Sequence, residues 1–331
     1  VLLFDLMISF KRNNFFPCKK KFNIKELNSL ISSEIVYTNS ITNFNINDIS
    51  SLNNQRKNSI LFLEKEVKNS NFNSDNLHIY SDVELNKNHY KNISIVRNID
   101  NVYNKILNEL FYHDDQKGFN DKFDYINGSY ISKYSIIHDS CEIGKNCTIS
   151  RGVEIGKNSI IKNNVVIKNS LIGNNVIISD NTSIGTTGFG FNLKKRGSTY
   201  LNPQIGIVII DDNVHIGSSC TIDRGKLDFT HIGKNSMIDN MVHIGHNVIL
   251  GENACIAAQT GISGSVVIGN NVTIGGQVGF AGHINIGKNV VIAARSGVTK
   301  NIKDNSVVAG FPATDMKEWK KNLIRQRKNG H

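Results

Sequence analysis

Ile232-Gly233-Lys234-Asn235-Ser236-Met237-Ile238-Asp239-Asn240-Met241-Val242-His243-Ile244-Gly245-His246-Asn247-Val248-Ile249-Leu250 carries an aliphatic residue at every sixth position: Ile232, Ile238, Ile244 and Leu250. The series continues through Ile256, Ile262, Ile268, Ile274, Phe280, Ile286 and Ile292 to Val298. A period of six fits neither the 3.6-residue helix nor the alternation of a plain strand. It fits a chain that turns a corner after each short strand, with one aliphatic side chain per face directed inward. Three faces close a coil of about 18 residues, and coils stack at the ~4.8 Å spacing of paired strands. Recurring Gly-x-Asn triplets (Gly144-Lys145-Asn146, Gly156-Lys157-Asn158, Gly233-Lys234-Asn235, Gly287-Lys288-Asn289) supply corner residues that tolerate positive φ. The expected fold is mainly β: a left-handed parallel β-helix, an exception to the right-handed crossover rule.

Upstream the same period runs through Ile137, Ile143, Ile149, Ile155, Ile161 and Ile167, slips by one residue, and resumes at Ile172, Ile178 and Ile184. The segment Thr186 to Gln204 breaks it before Ile210, Ile216 and Ile222, and a shorter break precedes Ile232. Both breaks read as loops that leave the coil and return. From Lys21 to His113 the pattern is mixed. Phe22 to Leu27 opens a helix, Ser59–Leu63 and Ile93–Val96 read as strands, and Val102, Ile106 and Leu110 repeat at helical spacing. The expected organisation is an N-terminal extension (1–20), a small α/β domain with its linker at Asp114 to Gly118 (21–118), the β-helix (119–309) and a C-terminal helical segment (310–331).

The 331 residues carry a formal net charge of +10 and only three prolines. Abundant Asn, Ile and Lys read as the codon usage of an A- and T-rich genome, because the aliphatic spacing is too regular for a disordered chain. The basic balance suits an acidic protein or an anionic nucleotide. Nucleic acid is not expected as a partner, since no RNA-binding aromatic motif, zinc finger or basic helix accompanies the charge. Cys18, Cys141, Cys147, Cys220 and Cys255 form no CxxC pair, and Cys141, Cys147 and Cys255 read as buried thiols of a reducing compartment. Val1 to Leu6 is too short to span a membrane, and Met7 is an alternative start. The expected location is cytoplasmic, with at most peripheral membrane contact.

A smooth prism has few pockets, so the corners decide where chemistry sits. One coil beyond His246 stands Gly264, and one further stands Gly282, with His283 beside it. A histidine thus heads a column whose next two members lack side chains. Its imidazole is free to take a proton near neutral pH, and the Gly264 N–H is left uncovered to stabilise an oxyanion. The bare column makes a slot for a thin ligand such as a pantetheine arm. The bland alternative is that these are a surface histidine and turn glycines. It is the preferred reading for His215, His231 and His243, and the His243/His246 spacing is not a metal signature.

Several stretches together resemble the UDP-3-O-acylglucosamine N-acyltransferases of lipid A biosynthesis: Ile238 to Val248, Gly188-Phe189-Gly190-Phe191, Pro203-Gln204-Ile205-Gly206, Thr221-Ile222-Asp223-Arg224-Gly225 and Gly282-His283-Ile284. The similarity runs from about Phe22 to Trp319. The resemblance implies a homotrimer with active sites between β-helices, transferring a 3-hydroxyacyl group from acyl carrier protein to the 2-amine of a UDP-3-O-acylglucosamine. It implies His246 as base and Gly264 N–H as oxyanion donor. His283 and Gly282 would lie along the pantetheine or phosphate region, Asp239 and Asn240 beside the glucosamine, and Phe62 at the uridine. Neither metal nor redox cofactor is implied, because the phosphopantetheine thioester is already activated. Two departures stand out: Glu64 to Lys68 offers no tyrosine after Phe62, and His243 stands where the family often has glutamine. Lys300 and the basic terminal segment would attract the acidic carrier. An acetyl-CoA-dependent sugar-nucleotide N-acetyltransferase, a UDP-N-acetylglucosamine O-acyltransferase and a non-catalytic β-helix scaffold are the rival readings.

Overall fold

The structure, a computed structural model, describes residues 11–40, 42–52, 54–66, 77–85, 90–112, 121–190 and 202–329. The opening Val1 to Met7, the Asp114 to Gly118 stretch, Val67, Lys68 and Phe191 lie outside them. The chain divides into two compact units, one of residues 1–120 with 190–205 and one of 121–189 with 206–331.

In the first unit, strands β1 (Ile35–Ser40), β2 (Asp48–Ser50), β3 (Ser59–Leu63), β4 (Leu77–Ser81) and β5 (Asn92–Val96) form a sheet ordered β1-β5-β4-β3-β2. It is parallel except for the β1–β5 edge. Helix α1 (Ile24–Leu30) starts at a reciprocal capping box. Asn23 Oδ1 accepts the Glu26 N–H at 3.0 Å, and Glu26 Oε2 accepts the Asn23 N–H at 2.8 Å. Helix α2 (Ile99–Leu110) buries the stripe Ile99, Val102, Ile106 and Leu110.

His78 on β4 is fully buried. Its Nε2 lies 2.9 Å from Ser94 Oγ, while among the described residues its Nδ1 has no hydrogen-bond partner. Burial holds this imidazole neutral, pushing its pKa from 6.5 down to about 3. Between those two pH values the unfolded chain binds more protons than the folded one. The stability of the neutral buried ring is therefore fully present above about pH 6.5 and is lost as the pH falls toward 3, about 2 kcal/mol of it by pH 5. Chemical denaturation of the first unit from pH 7 to pH 5 is expected to show that slope, and His78→Asn to flatten it. An equally steep slope in the variant would assign the effect elsewhere.

In the second unit, two- to four-residue strands stack into three sheets of ten, eight and ten described strands, parallel except for one antiparallel pair at an end of each ten-stranded sheet. Each strand pairs with the one a coil earlier and a coil later, as His243–Ile244 does with Thr221–Ile222 and Gly261–Ile262. The unit is a left-handed parallel β-helix. Every member of the series from Ile232 to Val298 is buried, at 4% exposure or less. The inward set is larger than one residue per face, because strand alternation also turns inward the residue two before each of them. Val242, Val248, Ala254, Val266, Val272 and Val278 are accordingly buried.

The corners assign separate tasks to Gly and Asn. In Gly-x-Asn it is the asparagine that takes positive φ, as at Asn146 (57°), Asn158 (56°), Asn235 (60°) and Asn289 (57°). The glycine answers a steric demand instead: a Cβ on Gly144 or Gly233 would stand 2.6–2.7 Å from the backbone of the next coil. Cys255 is exposed, contrary to the expectation of a buried thiol. Ile256 is the inward residue of that strand, so its predecessor must face out. Cys147 is buried and Cys141 half-buried. The chain closes with helix α3 (Met316–Asn329), which carries Lys317, Lys320, Lys321, Arg325, Arg327 and Lys328. Among the described residues, no helix is long and apolar enough to cross a membrane.

Candidate active site

His246 sits at the corner between strands His243–Ile244 and Ile249–Leu250, half-buried. Its Nδ1 lies 3.1 Å from Asn247 Oδ1, which also accepts the Lys226 backbone N–H at 3.0 Å. A carboxamide oxygen can only accept, so Nδ1 carries the proton and Nε2 presents its lone pair. Asn247 is itself held, its N–H donating to Thr230 Oγ1 at 2.9 Å.

The Nε2 side of the ring packs against Gly264. A Cβ built there would stand 2.7 Å from both Nε2 and Cε1 of His246, so only glycine leaves the ring in place. The stacking is direct: Ser265 N–H donates to His246 O, and His283 N–H to Gly264 O. At several other corners the first residue's N–H is capped by a side chain one coil on. Lys145 donates to Asn163, Asn163 to Asp180 and Glu252 to Asn270, at 2.9–3.0 Å. The residue in that place for Gly264 is Gly282, which has no side chain, and among the described residues the Gly264 N–H has no acceptor. His283, exposed at φ 60°, lies at the same corner, and Lys300 is the exposed next member of the column.

A second bare column runs beside the first. Below His243 in register come Gly261, Gly279 and Gly297, all at outward strand positions. A Cβ on Gly261 or Gly279 would meet nothing within 4 Å, whereas one on Gly297 would strike the Phe311 ring. These residues floor a groove of about 530 Å³ that starts at His243 and ends at Phe311. It spans roughly three strand spacings, about 14 Å. In the sequence this column stands as glycine at the coil period, three residues before the Gly264–Gly282 column.

The remaining expected residues are dispersed. Asp239 and Asn240 occupy the opposite corner of the histidine face, where they cap N–H groups: Asp239 Oδ2 accepts from Ala258 at 3.1 Å and Asn240 Oδ1 from Ser218 at 2.7 Å. Within one chain the width of the face separates them from His246. In the first unit, Phe62 stacks on Tyr80 (centroids 5.8 Å apart) and meets Tyr103 edge-on at 5.1 Å. The buried Tyr80 hydroxyl donates to Asn28. His231 is buried against Asp211, with Nε2 2.9 Å from Oδ2.

Two residues in the breaks of the repeat complete the surroundings of His246. Gly188 passes so close that a Cβ would lie 2.8 Å from His246 Cβ, and Asp223 is buried beside it. Among the described residues, no cluster of three or more His, Cys, Asp or Glu is placed to hold a metal ion.

Family models for the bacterial transferase hexapeptide (six repeats) match residues 134–169 and 229–264, and one for the hexapeptide repeat of succinyl-transferase matches 265–300. The solenoid is a hexapeptide-repeat array. The chain is 48% identical across 143 residues to the UDP-3-O-acylglucosamine N-acyltransferase of Desulfotalea psychrophila, covering 43% of this chain and 41% of that one. It is 54% identical across 144 residues to the enzyme of that name from Hydrogenovibrio crunogenus, covering 44% and 41%. The matched stretch thus spans about two fifths of these relatives' length. Among solved structures, the chain is similar to the UDP-N-acetylglucosamine acyltransferase of Francisella novicida (28% identity, TM-score 0.52, 60% of this chain and 72% of that one). LpxA of Acinetobacter baumannii aligns at 25% identity and TM-score 0.53, over 61% and 78%. The resemblance to the N-acyltransferases noted from sequence motifs is therefore matched by relatives of that name over about two fifths of this chain.

Proposed function

We propose that this chain is an N-acyltransferase moving a 3-hydroxyacyl group from acyl carrier protein to the 2-amine of a UDP-3-O-acylglucosamine in lipid A biosynthesis. The observation that carries this reading is the pairing of a tautomer-fixed His246 with an uncovered N–H on Gly264. The neutral amine attacks the thioester carbonyl carbon, forming the C–N bond, while its proton passes to His246 Nε2. The Gly264 N–H holds the oxyanion of the tetrahedral intermediate. Collapse breaks the C–S bond, and the proton on His246 passes to the departing sulfur. A thioester needs neither a metal nor a redox cofactor for this exchange.

The glycine-floored groove suits the acyl chain, since bare backbone admits an extended aliphatic ligand that side chains would exclude. Gly282 and His283 would flank the pantetheine or phosphate groups, and Phe62 the uracil. Asp239 and Asn240 can meet the sugar beside His246 only from another copy of the chain, which supports a homotrimer with sites between subunits. Lys300 and α3 present positive charge to the acidic carrier, consistent with a cytoplasmic reaction.

The test is a transfer assay with purified protein, 3-hydroxyacyl carrier protein and UDP-3-O-acylglucosamine, run beside acetyl-CoA as donor. Amide formation from the carrier thioester alone is expected. Transfer from acetyl-CoA with indifference to carrier would replace this reading with a sugar-nucleotide N-acetyltransferase, and no transfer from any donor would favour a scaffold.

A further inference from the structure

A buried carboxylate and a second imidazole stand beside His246 without a part in the reaction above. Asp223 ends the strand Thr221–Asp223, and its Oδ1 accepts the Thr186 hydroxyl at 3.0 Å. Its Oδ2 faces His243 Nε2 at 3.8 Å, while His243 Nδ1 lies 2.8 Å from Thr221 Oγ1. Gly188 fits between this pair and His246. A Cβ on Gly188 would be 3.0 Å from His246 Cδ2 and 3.2 Å from Asp223 Oδ2, so the carboxylate lies within about 6 Å of the His246 ring.

We infer that Asp223 is a positioning residue that orients His243 and favours the positive charge His246 acquires on taking the amine proton. The inference rests on His246 being the base. A carboxylate withdrawn from water acts on a neighbouring charge with little screening. Burial pushes the Asp223 carboxyl up from its ordinary value, and His243, the Thr186 hydroxyl, His246 and Arg224 pull it back, so both imidazoles already share its field. The other charged or titratable groups around His246 are His243 on its own strand, Arg224, Lys226 and His283. The passing segment Thr186 to Phe189 and the corner Ser263 to Ser265 bring none. Arg224 is directed to the Gly185 carbonyl at 3.0 Å. Gly188 and Asp223 lie in the irregular breaks, which explains why the coil arithmetic does not find them.

Asp223→Asn keeps the side-chain volume and removes the charge. Imidazole titration by NMR on the full-length protein without substrate, with the His246 signal assigned by its loss in His246→Ala, is expected to show the His246 midpoint about one pH unit lower in the variant. In the transfer assay the acid limb of kcat/KM is expected to move the same way, with kcat down about tenfold and KM within twofold. His243→Gln should leave the effect of Asp223 on His246 in place. An unchanged His246 midpoint in Asp223→Asn, with or without a lower melting temperature, overturns the inference. Because the titration needs no substrate, a shifted midpoint supports the charge coupling even if the transfer assay fails, and that failure would count only against the proposed reaction.

Discussion

Gly264→Ala is expected to lower kcat about a thousandfold while the β-helix stays folded. The added methyl would stand 2.7 Å from Nε2 and Cε1 of His246, closer than real Cβ contacts come, and 3.1 Å from Cδ2. The neighbouring coil is fixed by its ladder, so the imidazole must swing away, which gives up the Asn247 bond that sets its tautomer. Displacing a base by an ångström is enough to forfeit most of its contribution, and the same methyl crowds the oxyanion donor. The fold has less to lose, because Gly264 is not at positive φ and the position is a half-open corner. Steady-state kinetics with a parallel melting curve checks this. His246→Ala should fall into the same range, and the double variant should be no worse than either single one, since both remove one device. Activity within threefold of the parent in Gly264→Ala would remove the His246–Gly264 pair from the mechanism.

The largest effect on stability is expected from the core column. Ile262→Ala should cost about 3–4 kcal/mol, near the middle of the range for emptying a fully buried aliphatic site. Ile262 is 0% exposed and stacks in register between Ile244 and Phe280, each on its own coil. A solenoid couples each coil to its two neighbours, so the lost contact weakens both interfaces and leaves distant coils intact. Hydrogen exchange should therefore accelerate at the strands around Ile244 and Phe280 before the first unit is affected. Val267→Ala, outward on the next face at 41% exposure, is the internal comparison and should cost under about 0.5 kcal/mol. A loss below about 1 kcal/mol for Ile262→Ala would mean that the column does not carry the coil stacking.

Much of this architecture was legible in the residues. Burial of one aliphatic side chain after every corner repeats with the geometry that causes it, so the series from Ile232 to Val298 announced the faces, the coils and the stacking. The same arithmetic aligned His246, Gly264 and Gly282, because residues a coil apart must lie one above another. It under-read the interior by half, since Val248 or Val266 beside a strand looks like any corner residue until alternation turns it inward. It also misjudged Cys255, whose small apolar side chain suits either face.

What the tertiary structure alone decided lies where the period stops. Gly188, Asp223 and Lys226 belong to segments that leave the coil, and no spacing rule states where a returning loop comes to rest. The lone pair of His246 is set by Asn247, whose oxygen is in turn claimed by the Lys226 N–H. Local sequence specifies a histidine at a corner. Which of its nitrogens acts, and which carboxylate faces it, depends on contacts between chain segments far apart in sequence, and those exist only once the coils have closed.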